Sequence, residues 1–111
     1  MTSLFEALQA RIHTDGVEID RAGGTPHPRF PDLVYPLDYG FIRGTTSSDG
    51  GGVDVFVGSL DQHKVTGALA TFDEAKGDAE IKVLYDCTPA EIDTITAWLG
   101  RIVTVAPVTL P

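Results

Sequence analysis

The chain contains one cysteine, Cys87, which excludes an internal disulfide, so the fold needs no oxidising compartment. No apolar run approaches the ~20 residues that a membrane-spanning helix requires. The opening stretch MTSLFEALQARIHTDG lacks the basic head and long apolar stretch of a secretion signal. A cytoplasmic location is therefore expected. Cations are also scarce: eight lysines and arginines stand against sixteen acids, a formal net charge of −8. The eight are scattered rather than gathered into a patch, and such a field repels nucleic-acid backbones and anionic membranes. Neither is an expected partner. A nucleophile elbow, a phosphate loop, a dinucleotide fingerprint, zinc-ligand spacing, internal repeats and low-complexity segments are all missing.

What remains is 111 residues, 42% of them apolar, which is the size and composition of one globular domain spanning 1–111. Ser3-Leu4-Phe5-Glu6 has the pattern of a capping box, and Leu4, Phe5, Leu8 and Ile12 follow at helical spacing, predicting a helix to about Ile12. Val17-Glu18-Ile19 alternates as a short strand. From Asp20 to Pro36, prolines 26, 28, 31 and 36 and the Gly23-Gly24 pair rule out a helix or an inner strand. The segment is a long loop, ordered or disordered, and long loops in compact domains tend to be functional.

Strands are predicted over Tyr39–Ile42, Val53–Val57, Val65–Phe72, Ala79–Tyr85 and Ile102–Val108. Thr88-Pro89-Ala90-Glu91 opens a second helix whose apolar face is Ile92, Ile95, Trp98 and Leu99, with Gly100 placed to end it. The expected fold class is mainly β with two flanking helices (α+β), as a small barrel or a strongly curved sheet.

Several carboxylates stand where they need a reason. In Val53-Asp54-Val55-Phe56-Val57, Asp54 is one acid in an apolar strand, and burying it uncompensated costs several kcal/mol. Either this is an edge strand with Asp54 in solvent, or Asp54 is a metal ligand. Asp49 precedes it across Gly50-Gly51-Gly52 and either makes a tight turn or converges on Asp54 at one end of a hairpin. Asp73 and Asp78 have the same spacing around another turn. Asp78 lies in register with Glu80 and Lys82 on the polar side of its strand, which reads equally as a solvated face. Oxygen ligands in that number suit Mg²⁺, which takes one or two protein carboxylates and keeps waters for a phosphate substrate. Two such ions can clamp an anhydride and activate a water.

In the proline-stiffened Thr25–Pro31 segment, Arg29 is the natural phosphate hook, planar and always charged. His27 is a candidate for phosphate, for a metal or for neither. His13 and His63 receive no role. Cys87 precedes a helix, where a thiol pKa can fall, but a lone cysteine is ordinarily structural.

Tyr35-Pro36-Leu37-Asp38-Tyr39-Gly40-Phe41-Ile42, followed by Asp49-Gly50-Gly51-Gly52-Val53-Asp54-Val55, resembles the soluble (family I) inorganic pyrophosphatases, as a short, divergent member. Asp73-Glu74-Ala75-Lys76-Gly77-Asp78 is similar to that family's second acidic stretch, and Val17-Glu18-Ile19-Asp20 to the strand bearing its first active-site acid. The resemblance implies a small OB-like β-barrel, Mg²⁺ as cofactor and pyrophosphate or a related phosphoanhydride as substrate. It implies Asp49, Asp54, Asp73 and Asp78 as metal ligands, with Asp54 counted among the catalytic residues. Asp20 stands for a glutamate near the metals, Arg29 for a phosphate-binding lysine, and Tyr39 for a tyrosine that contacts phosphate. His27 or Arg43 takes the place of an arginine lost with a missing hairpin.

The departures are specific. The signature's central aspartate, the anchor of the attacking water, is Gly51, and its proline is Gly52. The chain ends before the lysine and tyrosine that the family places downstream. Asp32 and Asp38 are the acids nearest to hand for the gap. Two expectations follow: Mg²⁺-dependent hydrolysis of pyrophosphate, or a pyrophosphatase-fold protein that binds a metal or phosphate ligand without turnover. Binding of single-stranded oligonucleotides, which such a barrel can support, is disfavoured by the charge and the scattered aromatics. A homo-oligomer is compatible with the sequence.

Overall fold

The computed structural model describes residues 2–110. Its elements in chain order are α1 (Leu4–Asp15), β1 (Val17–Arg21), β2 (Asp38–Ile42), β3 (Val53–Val57), β4 (Val65–Asp73), β5 (Asp78–Tyr85), α2 (Pro89–Leu99) and β6 (Thr104–Pro107). The fold class is therefore mainly β with two helices, as expected. One six-stranded sheet has the order β1-β2-β3-β5-β4-β6, antiparallel except where β3 runs parallel to β5. The OB-like barrel corresponds to this sheet with its two edges, β1 and β6, left unjoined.

Alternation along the strands divides the apolar side chains between two cores. Val55 and Val83 point to one face and meet Ile42, Val65 and Ile12 of α1. Their neighbours Phe56 and Leu84 point to the other and meet Leu69, Tyr35, Cys87, and Ile95 and Leu99 of α2. A strand buried on both faces reads as a continuous apolar run, as in Val53–Val57. Asp54 and Lys82 share the parity of Phe56 and Leu84, so both lie on the α2 face, paired in register across the parallel strands.

Local chemistry explains where elements start and stop. Of the Ser3–Glu6 box the Ser3 half is present, its hydroxyl accepting the Glu6 amide at 3.1 Å. α1 runs past Ile12 to Asp15, aided by an Arg11–Asp15 ion pair at 2.9 Å, and ends at Gly16 with φ of +82°. The Thr88–Glu91 box of α2 is complete, with proline in the first turn. β1 extends beyond Ile19 to Arg21 through a bulge facing Gly40. A Cβ at position 40 would lie 1.8 Å from the Glu18 carbonyl oxygen, so only glycine lets the two backbones meet. β6 is shorter than Ile102–Val108, because residues 101–103 form the turn out of α2, with the Ile102 and Val103 amides bonding to Leu99.

The proline-rich segment is ordered. Gly24 and Thr25 bond to Tyr35, His27 bonds to Leu33, and Pro26 bridges Val34, which folds residues 27–33 into a projecting loop. Arg21 donates to the Tyr35 hydroxyl at 2.7 Å and tethers the loop's base to β1.

Candidate active site

The strands and the loop enclose a cavity of about 170 Å³ on the α2 face. Tyr35, Phe56, Trp98 and Leu99 make its apolar floor. Arg29, Lys76 and Lys82 bring cations to its wall, and Asp73, Asp78 and Glu80 bring carboxylates. These charges come from the projecting loop, the β4–β5 turn and β5, so it is the sheet topology that gathers them.

The β4–β5 hairpin supplies the acidic rim. Asp73 and Asp78 are register partners at its end, and both line the cavity. Asp73 Oδ1 accepts the amides of Ala75 and Lys76 at 3.0 and 3.1 Å, which fixes the carboxylate in the turn. The polar side of β5 is the inward side here: Asp78, Glu80 and Lys82 face the cavity, whereas Ile81 is exposed.

Deeper in, Lys82 Nζ donates to Asp54 Oδ2 at 2.6 Å, to Glu80 Oε2 at 2.7 Å and to the Tyr39 hydroxyl at 3.2 Å. Burial works against this ammonium, but Tyr39, Asp54 and Glu80 outweigh it and hold Lys82 above the usual lysine range. Burial also raises Tyr39, which stays a neutral phenol, and raises Glu80 against the opposing pull of Lys82.

His27 stacks on Tyr35 with centroids 5.7 Å apart and an interplanar angle of 8°, and its Nδ1 accepts the Arg29 and Phe30 amides at 3.0 and 3.3 Å. The neutral ring thus shapes the loop that carries Arg29. Its pKa is lowered, first by burial and then by Arg21 and Arg29. A histidine with a depressed folded-state pKa contributes stability that is complete above the unfolded value of about 6.5 and is lost as pH falls through the lower folded value. The Arg29 and Phe30 amide signals in nuclear magnetic resonance spectra are therefore expected to shift and lose exchange protection below that range, ahead of global unfolding. Signals that stay constant until the whole protein unfolds would refute the role given to Nδ1.

The remaining candidates lie elsewhere. Asp49 Oδ1 accepts Ser47 Oγ at 2.5 Å and the Gly51 amide at 2.9 Å, bonds that lower its pKa, with a smaller contribution from Glu80. It closes its own exposed turn. Asp20 is exposed at the β1 bulge, and Arg43 pairs with Glu18 at 3.6 Å; neither lines the cavity. Asp38 accepts the Gly23 amide at 2.9 Å and Asp32 is exposed, and neither lines the cavity. Burial, helped by Glu91 and Asp86, pushes the Cys87 thiol up to about 12, which makes it a packing residue rather than a nucleophile.

Sequence reasoning passed over Glu80, Lys82 and Lys76. The signal for Glu80 and Lys82 was the alternation Asp78, Glu80, Lys82, a cation in line with two acids on one side of a strand; Lys76, in the turn before it, carried none.

Metal binding can be tested against this arrangement. Among the described residues no group of three or more His, Cys, Asp or Glu side chains is placed to hold an ion. The carboxylate of Asp54 already holds an ammonium, and that of Asp49 does not line the cavity. Asp73 and Asp78 remain as a pair at the cavity mouth, the number that Mg²⁺ takes when substrate oxygens and water complete its shell. The residues fit one such ion at the rim, and not a protein-built cage.

Comparison with known proteins places the chain in a family. The inorganic pyrophosphatase family model matches residues 12–103. The inorganic pyrophosphatase of Haemophilus ducreyi is 37% identical over 91 aligned positions, covering 70% of this chain and 52% of that protein. That of Pseudomonas aeruginosa is 37% identical over 76 positions, covering 61% and 40%. The crystal structure of the Thermus thermophilus inorganic pyrophosphatase superposes with a TM-score of 0.47 at 22% identity, covering 84% of this chain and 78% of that one. The chain spans about half or less of the length of these curated relatives. With the family match running from the end of α1 to the turn before β6, the chain belongs to the inorganic pyrophosphatase family.

Proposed function

We propose that the protein hydrolyses inorganic pyrophosphate, or a related small phosphoanhydride, in the α2-face cavity with Mg²⁺ accompanying the substrate. The observation that carries this reading is the meeting of Arg29, Lys76 and Lys82 with Asp73, Asp78 and Glu80 in one cavity, in a chain of net charge −8. Arg29 and Lys76, distant in the sequence, converge there to meet an anion, and Lys82 adds its charge from within its carboxylate pairs.

Each side chain has a task. Arg29 presents a planar fork to phosphoryl oxygens from a loop preshaped by His27, and Lys76 adds a second positive charge from the β4–β5 turn. Asp73 and Asp78 would hold the metal at the mouth. When bound, Mg²⁺ neutralises charge on the phosphoryl oxygens and acidifies a water. Tyr39, kept neutral, turns its hydroxyl toward Lys82 on the cavity wall. The apolar floor of Phe56, Trp98 and Leu99 lowers the local dielectric, which strengthens all of these charge interactions.

The expected result is phosphate release from pyrophosphate by the purified protein in the presence of Mg²⁺, and loss of that release on chelation. A protein inert over varied pH and divalent ions would overturn this reading. A second reading is binding without turnover. It is favoured by Gly51, whose turn lacks the family's central carboxylate, and by the exposed positions of Asp20, Asp32 and Asp38. Calorimetric binding of a non-hydrolysable diphosphate with no phosphate release from pyrophosphate is its signature. Whole-protein partners and assembly state belong to the same proposal: a small anionic substrate, neither nucleic acid nor membrane, in a cytoplasmic protein able to form homo-oligomers. Among the described residues no helix is long and apolar enough to cross a membrane.

A further inference from the structure

We infer that the Lys82 ammonium takes the place of a divalent ion at the Asp54 carboxylate, so that a metal entering this cavity is confined to the Asp73–Asp78 rim. Lys82 Nζ lies 2.6 Å from Asp54, 2.7 Å from Glu80 and 3.2 Å from the Tyr39 hydroxyl, three oxygens around one cation. An ammonium has three N–H donors, and this nest uses all of them. The side chains of Lys82, Glu80 and Asp54 are only 13%, 16% and 24% exposed, so water does little of the compensating.

The placement is built into the fold rather than a chance surface pairing. Asp54 and Lys82 are register partners across the parallel β3–β5 ladder, Glu80 precedes Lys82 by two residues on the same side, and Tyr39 pairs with Phe56 on the neighbouring strand. A divalent ion brought to Asp54 would have to displace the ammonium or sit beside a like charge. The same three bonds leave Lys82 no free donor for a phosphoryl oxygen. It therefore acts as a positioning residue that holds Asp54 and Glu80, while direct anion contacts fall to Arg29 and Lys76.

The purpose assigned to the ammonium rests on the phosphoanhydride reading, but its occupancy of the nest is measurable without turnover. Bound Mn²⁺ can be counted by electron paramagnetic resonance on the full chain without substrate. Lys82→Met is expected to bind one more Mn²⁺ per chain than the parent, and to gain more in melting temperature when Mn²⁺ is added. Asp54→Asn, which keeps an oxygen acceptor for Lys82, is expected to leave the parent's count unchanged. If Asp54→Asn loses an ion, or folded Lys82→Met gains none, the inference is wrong. Should Lys82→Met fail to fold, the Asp54→Asn count decides alone. Phosphate release is assayed separately: its absence from the parent overturns the hydrolase reading and leaves these ion counts standing.

Discussion

Asp78→Asn is expected to lower the rate of phosphate release from pyrophosphate by about 10²-fold, or roughly 2.7 kcal/mol of barrier. Asp73 and Asp78 stand opposite each other at the end of the β4–β5 hairpin, and both line the cavity. A pair of carboxylates is the least that secures Mg²⁺ beside substrate oxygens. Two unit charges 4 Å apart interact by about 4 kcal/mol at an effective dielectric of 20, and a site open to water keeps only part of that. The loss should therefore be large without being total. It should show mainly as a raised requirement for Mg²⁺, partly recovered at high metal concentration. Asparagine has nearly the same shape, and Asp78 is only half-buried, so the thermal transition should move little. Initial rates across an Mg²⁺ series, with circular dichroism melting on the same samples, check both halves. A rate within twofold of the parent would remove Asp78 from the metal rim.

Gly40→Ala is expected to destabilise the fold by about 3 kcal/mol, the upper end of the usual cost of overpacking. The added methyl would stand 1.8 Å from the Glu18 carbonyl oxygen and 2.8 Å from the Ile19 Cα. Both are backbone atoms of the bulged strand β1, which cannot swing aside as a side chain would. Relief requires β1 to part from β2, and with it goes Arg21, whose guanidinium holds the Tyr35 hydroxyl at the base of the Arg29 loop. The variant should thus lose denaturant midpoint and also anion affinity. Urea titration followed by Trp98 fluorescence measures the first, and calorimetry with a non-hydrolysable diphosphate the second. An unchanged midpoint would mean that β1 moves freely and that its register does not anchor the loop.

Much of the architecture was legible because it is local. Proline and Thr88 set the start of α2, and the apolar runs Val53–Val57 and Val65–Phe72 carry their own strand preference. The extra turn of α1 was less visible, since it depends on an Arg11–Asp15 pair and a left-handed Gly16 beyond the last apolar position. Arg29, Tyr39, Asp73 and Asp78 could be singled out by residue type and motif, and the fold brings all four to one cavity. Asp49, Asp20 and Arg43 carried equally good motif credentials but lie in an exposed turn, at the bulge and in a surface ion pair.

The strand Asp78–Tyr85 shows where the division falls. Its alternation separated Asp78, Glu80 and Lys82 from Ala79 and Ile81, but periodicity does not say which side faces inward. Ordinary hydrophobic logic would bury Ile81, yet it is the polar side that lines the cavity, while Ile81 is 38% exposed. The partner of Asp54 was hidden for the same reason: Lys82 is 28 residues away in sequence and meets it only because β3 and β5 run parallel. The sequence by itself determined the helices, most of the strands, the family and the stock of charged side chains. Tertiary structure alone decided which charges meet, because strand order and direction are settled by burying two cores at once, a cooperative balance that no single stretch of chain contains.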